Sequence, residues 1–147
     1  DHRDLHLSIR RQRQMCIRDR INKNGISHPL YKNKDKKFNS PAFNFDEVVK
    51  IPDKGICLAS NKTNKVQGLY FEVNKTKIWG LQYHPEITYE KMINLIEFRK
   101  ERLIESRKVF KDDTEVQKHI AFIKKEISVS DKKKRMLELK NWLTELN

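Results

Sequence analysis

Two side chains two residues apart, His84 and Glu86, form the pair in this sequence best suited to acid–base chemistry. They flank Pro85 and end the stretch Gly80-Leu81-Gln82-Tyr83-His84-Pro85-Glu86, which follows the apolar run Lys77-Ile78-Trp79. Side chains alternate along an extended chain, so residues i and i+2 share one side. Pro85 lacks an N–H donor and fixes φ, which marks a strand end rather than a central strand position. An imidazole and a carboxylate held at such a lip can work together. The carboxylate on one ring nitrogen fixes the tautomer and stabilises the imidazolium, leaving the other nitrogen to take a proton from a nucleophile. A bare His-x-Glu pair also fits an ordinary surface histidine beside a surface acid.

Other chemistry is thinly represented. No cluster with metal-ligand spacing, no Walker loop and no dinucleotide fingerprint occurs, so no metal or cofactor is indicated. Two cysteines, Cys16 and Cys57, make a disulfide framework improbable and fit a reducing, cytoplasmic setting. No apolar run reaches the ~18–20 residues of a membrane span, and no segment has the apolar centre of a signal peptide. The net charge of +12 raises the expectation of an anionic partner. Lysines and acids are interspersed through most of the chain, however, which fits a solvated lysine-rich surface, and the densest cluster, Lys132-Lys133-Lys134-Arg135, opens a helical pattern.

The elements that would position the pair can be read along the 147 residues, enough for one domain of ordinary size. Residues 1–20 hold six arginines and no lysine, whereas residues 21–147 hold four arginines and twenty-two lysines. The string Arg10-Arg11-Gln12-Arg13-Gln14-Met15-Cys16-Ile17-Arg18-Asp19 resembles a translated sequencing adapter. Residues 1–20 are therefore expected to be a foreign, disordered leader, and any site at Cys16 is discounted. Residues 21–40 read as loop and edge structure, with a turn at Asn24-Gly25 and a break at His28-Pro29. Phe43 and Phe45 alternate about Asn44 as on a short strand. Three strand-like runs follow, Ile56–Asn61, Val66–Val73 and Lys77–Tyr83, and the last two should pair as an antiparallel hairpin. From Thr88, a plausible N-cap, the pattern turns helical. Tyr89, Met92, Ile93, Ile96 and Leu103 form one stripe, and Val116, Ile120, Ile123 and Ile127 a second. Met136, Leu139, Trp142, Leu143 and Leu146 form a third. All three are expected to face the core, the alternative being docking to a partner.

The stretch 80–86 resembles the G-[VLI]-Q-[FY]-H-P-E signature of class I glutamine amidotransferases, which use a Cys-His-Glu triad. Ser27-His28-Pro29-Leu30-Tyr31 is similar to the HPL[FY] stretch of the GMP-synthase-like branch, and Leu139-Lys140-Asn141-Trp142-Leu143 is similar to the close of a stand-alone form of that branch. The resemblance covers most of residues 26–147 and is strongest at 80–86. It implies an α/β, flavodoxin-like fold, of which this chain would hold the C-terminal half: strands at about 38–84 and helices at about 88–147.

The resemblance further implies that His84 is the base and Glu86 its orienting carboxylate. Phe43, Asn44 and Phe45 would lie beside the pocket for the substrate, L-glutamine, and contact it through their backbone. Relatives often carry histidine where Asn44 stands. The implied reaction is hydrolysis of the glutamine side-chain amide to glutamate and ammonia, the ammonia passing to a synthase domain or subunit, with no nucleic acid and no membrane involved. The family's nucleophile sits on a Gly-x-Cys-x-Gly elbow. No such elbow occurs here, and Cys57, among Ile56, Leu58 and Ala59, reads as an inert core cysteine. The chain alone is therefore expected to be a truncated, inactive copy, since triad members act as a unit. Two other readings compete: a non-catalytic module that binds a synthase domain or subunit, and a basic nucleic-acid binder whose affinity would fall steeply with salt.

Overall fold

A computed structural model describes residues 18–44 and 46–145. Its elements are β1 (Asp19–Ile21), α1 (Lys23–Ser27), a 3-10 turn (Pro29–Tyr31), β2 (Lys37–Phe38), β3 (Ile56–Ser60), β4 (Gly68–Val73) and β5 (Thr76–Leu81). The helical part is α2 (Tyr89–Phe98), a π-helical turn (Arg102–Ser106), α3 (Asp113–Val129), α4 (Lys132–Arg135) and α5 (Leu137–Glu145). The five strands make one sheet in the order β2-β1-β3-β4-β5. Every neighbouring pair is antiparallel. The class is thus mixed α and β, and the parallel core of a flavodoxin-like sheet is not found among the described residues.

Two departures from the sequence expectation concern the first strand and the last helix. The composition boundary at residue 20 cuts through β1. Asp19 pairs with Phe38, and Arg20 with Lys37 and Ser60, placing these residues between β2 and β3. A composition shift carries no information on pairing partners; residues 1–17, Cys16 included, lie outside the described residues. Asn24-Gly25 is not a turn but lies inside α1. The Asn22 side chain caps that helix by accepting from the Gly25 N–H at 3.0 Å. A Cβ on Gly25 would sit 2.2 Å from the Leu58 carbonyl oxygen, so close approach of α1 to β3 requires glycine here.

The hairpin forms as the turn chemistry predicts. Val73 and Thr76 pair across Asn74-Lys75, both with positive φ (48° and 68°), the two-residue turn whose twist matches the strands. Strand β5 ends at Leu81, short of residue 84. One more ladder bond runs from the Gln82 N–H to the Gln67 carbonyl at 2.9 Å before the chain turns into the core.

Two apolar clusters result. The sheet cluster holds Ile21, Leu30, Tyr31, Leu58, Ala59 and Tyr83. The helical cluster holds Tyr89, Met92, Ile96, Leu103, Val116, Ile120 and Ile123 among others. Thr88 and Asp112 cap α2 and α3 through their side-chain oxygens. The first two stripes read from the sequence are therefore core faces. The third, of which Leu146 lies outside the described residues, is not: Trp142 is 43% exposed and Leu143 55%, whereas Glu138 is 1% exposed. Helix α5 docks by its polar side. Glu138 accepts from Lys34 Nζ at 2.9 Å and from the Tyr83 hydroxyl at 2.7 Å. Asn141 Nδ2 donates to the Leu30 and Lys32 carbonyls. A buried ammonium and a buried phenol demanded an acid from this helix, and that demand outweighed its hydrophobic periodicity.

Candidate functional site

The chain leaves the sheet cluster at Tyr83 and enters the helical cluster at Ile87, so His84, Pro85 and Glu86 span the seam between them. Their geometry comes from a turn rather than from strand alternation. The Ile87 N–H donates to the His84 carbonyl at 3.2 Å, closing a four-residue turn with Pro85 and Glu86 in its middle. The His84 N–H donates to the Pro41 carbonyl at 2.7 Å, which ties the turn to the segment after β2. Within this frame His84 Nδ1 lies 2.8 Å from Glu86 Oε1. The side chains are 36% and 52% exposed, so the pair sits at the surface with solvent on one side.

The 41–44 segment runs alongside. Asn44 Nδ2 donates to the Gln82 carbonyl, so this asparagine ties the segment to the chain just before His84. Phe43 packs against the helical cluster, lies beneath the Arg99 guanidinium 5.9 Å from its ring centroid, and shares a narrow apolar crevice with His84, Ile87 and Leu95. No strand forms at 43–44, so the alternation read from the two phenylalanines is not realised in a sheet. Four expected site residues, Phe43, Asn44, His84 and Glu86, are thereby brought together, and Phe45 falls outside the described residues.

Cys57 does not join them. It pairs with Leu69 on β4, which pairs with Gly80 on β5, so two strand spacings, about 10 Å, separate it from Gly80. Its Sγ faces the Ala59 and Lys65 carbonyls at 3.4 and 3.5 Å. It is half-buried rather than fully buried, and that burial pushes its thiol pKa up, away from thiolate character. His28, the other histidine of a quoted string, is a capping residue: its Nδ1 accepts from the Leu30 N–H at 3.2 Å. Gly80 poses no steric demand, since a Cβ there would meet Leu69 Cβ at an ordinary 3.8 Å. Among the described residues no group of three or more His, Cys, Asp or Glu side chains gathers to hold a metal. No helix there is long and apolar enough to cross a membrane.

Sequence reasoning missed the residues behind the turn, notably Lys34, Arg135 and Glu138. Their signal was misleading, because Arg135 ends a basic run that reads as solvated surface yet is 7% exposed.

No protein-family model matches the chain. A gamma-glutamyl-L-1-hydroxyisopropylamide hydrolase of a Pseudomonas species is 31% identical to it over 64 residues, which make up 44% of this chain. The match spans 21% of that hydrolase, about one fifth of its length. The likeness is to an enzyme whose name states hydrolysis of a γ-glutamyl amide.

Proposed function

We propose that the turn at 84–86 is the acid–base half of a hydrolase acting on γ-glutamyl amides, of the class I glutamine amidotransferase type and its GMP-synthase-like branch. The observation that carries this reading is the 2.8 Å contact of His84 Nδ1 with Glu86 Oε1. With Nδ1 engaged, Nε2 is the nitrogen left for proton transfer. A thiol attacks the amide carbonyl carbon as Nε2 takes the thiol proton. The tetrahedral intermediate collapses to a thioester as Nε2 returns that proton to the departing ammonia or amine. Water, deprotonated by the same nitrogen, attacks the thioester carbon; the C–S bond breaks, glutamate leaves, and Nε2 returns its proton to the thiolate. Glu86 holds the ring and stabilises the imidazolium through both half-reactions. Phe43, Asn44 and Phe45 line the wall beside the substrate and contact it through their backbone.

Cys57 lies mid-strand on β3 with its Sγ on the Ala59 and Lys65 carbonyls and its thiol pKa pushed up by burial, so in this reading the nucleophile and its oxyanion donors lie outside the described residues. L-Glutamine is the natural first substrate to try, and the Pseudomonas likeness makes γ-glutamyl alkylamides the second. A synthase domain or subunit in the cytoplasm would take the ammonia. A second reading, a non-catalytic interaction module, draws on the exposed apolar side of α5.

The test uses the product of the uninterrupted reading frame that contains residues 18–145. It is incubated with L-glutamine and separately with a γ-glutamyl alkylamide. Glutamate formed with equimolar ammonia or amine supports the proposal. A folded protein that forms glutamate from neither contradicts it and favours the interaction module.

A further inference from the structure

We propose that Arg135 and Glu138 are positioning residues that hold the His84–Glu86 pair from behind. The inference rests on the roles proposed above for His84 and Glu86.

The pair itself has little to hold it. Glu86 is half exposed, and its carboxylate contact with His84 is made at the surface. Its position therefore depends on the backbone of the turn. Two carbonyls of that turn, those of Pro85 and Ile87, flank Glu86 on either side. Both accept from one nitrogen, Nη1 of Arg135, at 2.5 and 2.6 Å. Charge-assisted bonds of this kind are stronger than neutral ones. One planar group bonded on both sides of Glu86 sets the direction in which that residue leaves the backbone.

The residue before the pair is held by the same part of the chain. The Tyr83 hydroxyl donates to Glu138 Oε1 at 2.7 Å and lies 3.1 Å from the Tyr31 hydroxyl. The other oxygen of Glu138 is bonded to Lys34 Nζ at 2.9 Å. Lys34 Nζ also donates to the Lys134 and Arg135 carbonyls, at 2.9 and 3.3 Å. The network is thus closed: Lys34 fixes the α4–α5 junction, Arg135 fixes the carbonyls on either side of Glu86, and Glu138 fixes Tyr83. Arg135 and Glu138 stand three residues apart across that junction, so a displacement of α5 reaches both ends of the turn together.

The pair is read by the tautomer of the His84 ring, which a role in general stability would leave alone. The 147-residue chain is labelled with 15N, and the imidazole one-bond and two-bond correlations are recorded for wild type, Arg135→Met and Arg135→Lys. Exchange of the His84 and Ile87 amides, both hydrogen-bonded in the turn, is compared with exchange at Val116, Ile120 and Ile123 in α3. The wild type should show His84 with its neutral-form proton on Nδ1. In Arg135→Met that preference should fall toward the mixture of a free imidazole. Exchange at His84 and Ile87 should rise about tenfold or more while α3 keeps its wild-type protection. Arg135→Lys, which keeps the charge, should fall between.

A wild-type tautomer pattern in a folded Arg135→Met variant would overturn the inference. If Arg135→Met loses protection in α3 as well, Arg135→Lys decides: a shifted tautomer with α3 intact supports the role, and an unshifted one overturns it. None of these readouts requires turnover, so failure of the hydrolase proposal would be seen separately, in the glutamate assay.

Discussion

Replacing Asp19 by Asn should remove a pH dependence that the fold imposes on itself. Asp19 is 3% exposed, and burial pushes its carboxyl from 3.8 up to about 7, against the lowering effect of the Asn61 amide that donates to it at 2.9 Å and of the nearby Lys34 ammonium. Between those two values the unfolded chain has released this proton while the folded chain still holds it. Raising the pH through that window therefore favours unfolding. The contribution of Asp19 is fully present below about pH 4 and is lost as the pH approaches about 7. A shift of roughly three units corresponds to about 4 kcal/mol, an upper bound for a carboxyl that can gain water as it ionises. Asn keeps the Oδ1 acceptor for Asn61 and carries no proton to lose. Urea unfolding of wild type and Asp19→Asn at pH 4, 5.5 and 7 isolates this one group from every other titration. The variant should gain on the wild type steadily across the series, by up to about 4 kcal/mol. A stability difference that stays constant within about 0.5 kcal/mol from pH 4 to 7 would refute the reasoning.

Four further outcomes follow, three of them from packing. Gly68→Ala should cost about 1–3 kcal/mol, because the new Cβ would lie 2.2 Å from the Tyr31 hydroxyl, and Tyr31→Phe should recover part of that loss in the double variant. Gly80→Ala, in contrast, should be neutral within about 0.5 kcal/mol or slightly stabilising by urea titration. Trp142→Gln and Leu143→Gln should each change the stability of the chain by less than about 0.5 kcal/mol, whereas a core position would cost several times more. Cys57→Ser should leave the proposed γ-glutamyl amide hydrolysis at its wild-type rate in the glutamate assay, and a loss of turnover with an intact circular dichroism spectrum would place that thiol in the chemistry.

Local rules made much of this fold legible. The Asn74-Lys75 turn, the cap at Thr88, and the stripes on α2 and α3 all follow from residue type and spacing over a few positions. What failed depended on distant partners. β1 gains its place from β2 and β3, eighteen and forty residues away, and nothing in an arginine-rich segment announces that pairing. Helix α5 has an apolar face that looks like a core face. It docks by Glu138 because Lys34 and Tyr83, each more than fifty residues away in sequence, bury polar groups that need it. The same holds for the site. His84 and Glu86 were readable as a pair from one short stretch, but the reason they meet is a turn whose carbonyls are held by Arg135, a residue with the sequence signature of solvated surface. Phe43, Asn44 and Phe45 were placed beside the substrate pocket by resemblance; the described part of that segment approaches the pair through the Pro41 carbonyl on the His84 N–H and the Asn44 side chain on the Gln82 carbonyl.

The central claim is that His84 is a catalytic base held by Glu86. It is tested most directly by steady-state hydrolysis of γ-glutamyl amides by the product of the uninterrupted reading frame, in wild-type and His84→Ala forms. The account predicts that kcat/KM falls by about 10⁴-fold or more in His84→Ala, with the fold retained, and that Glu86→Ala loses less. A folded His84→Ala variant that turns over at the wild-type rate would contradict it.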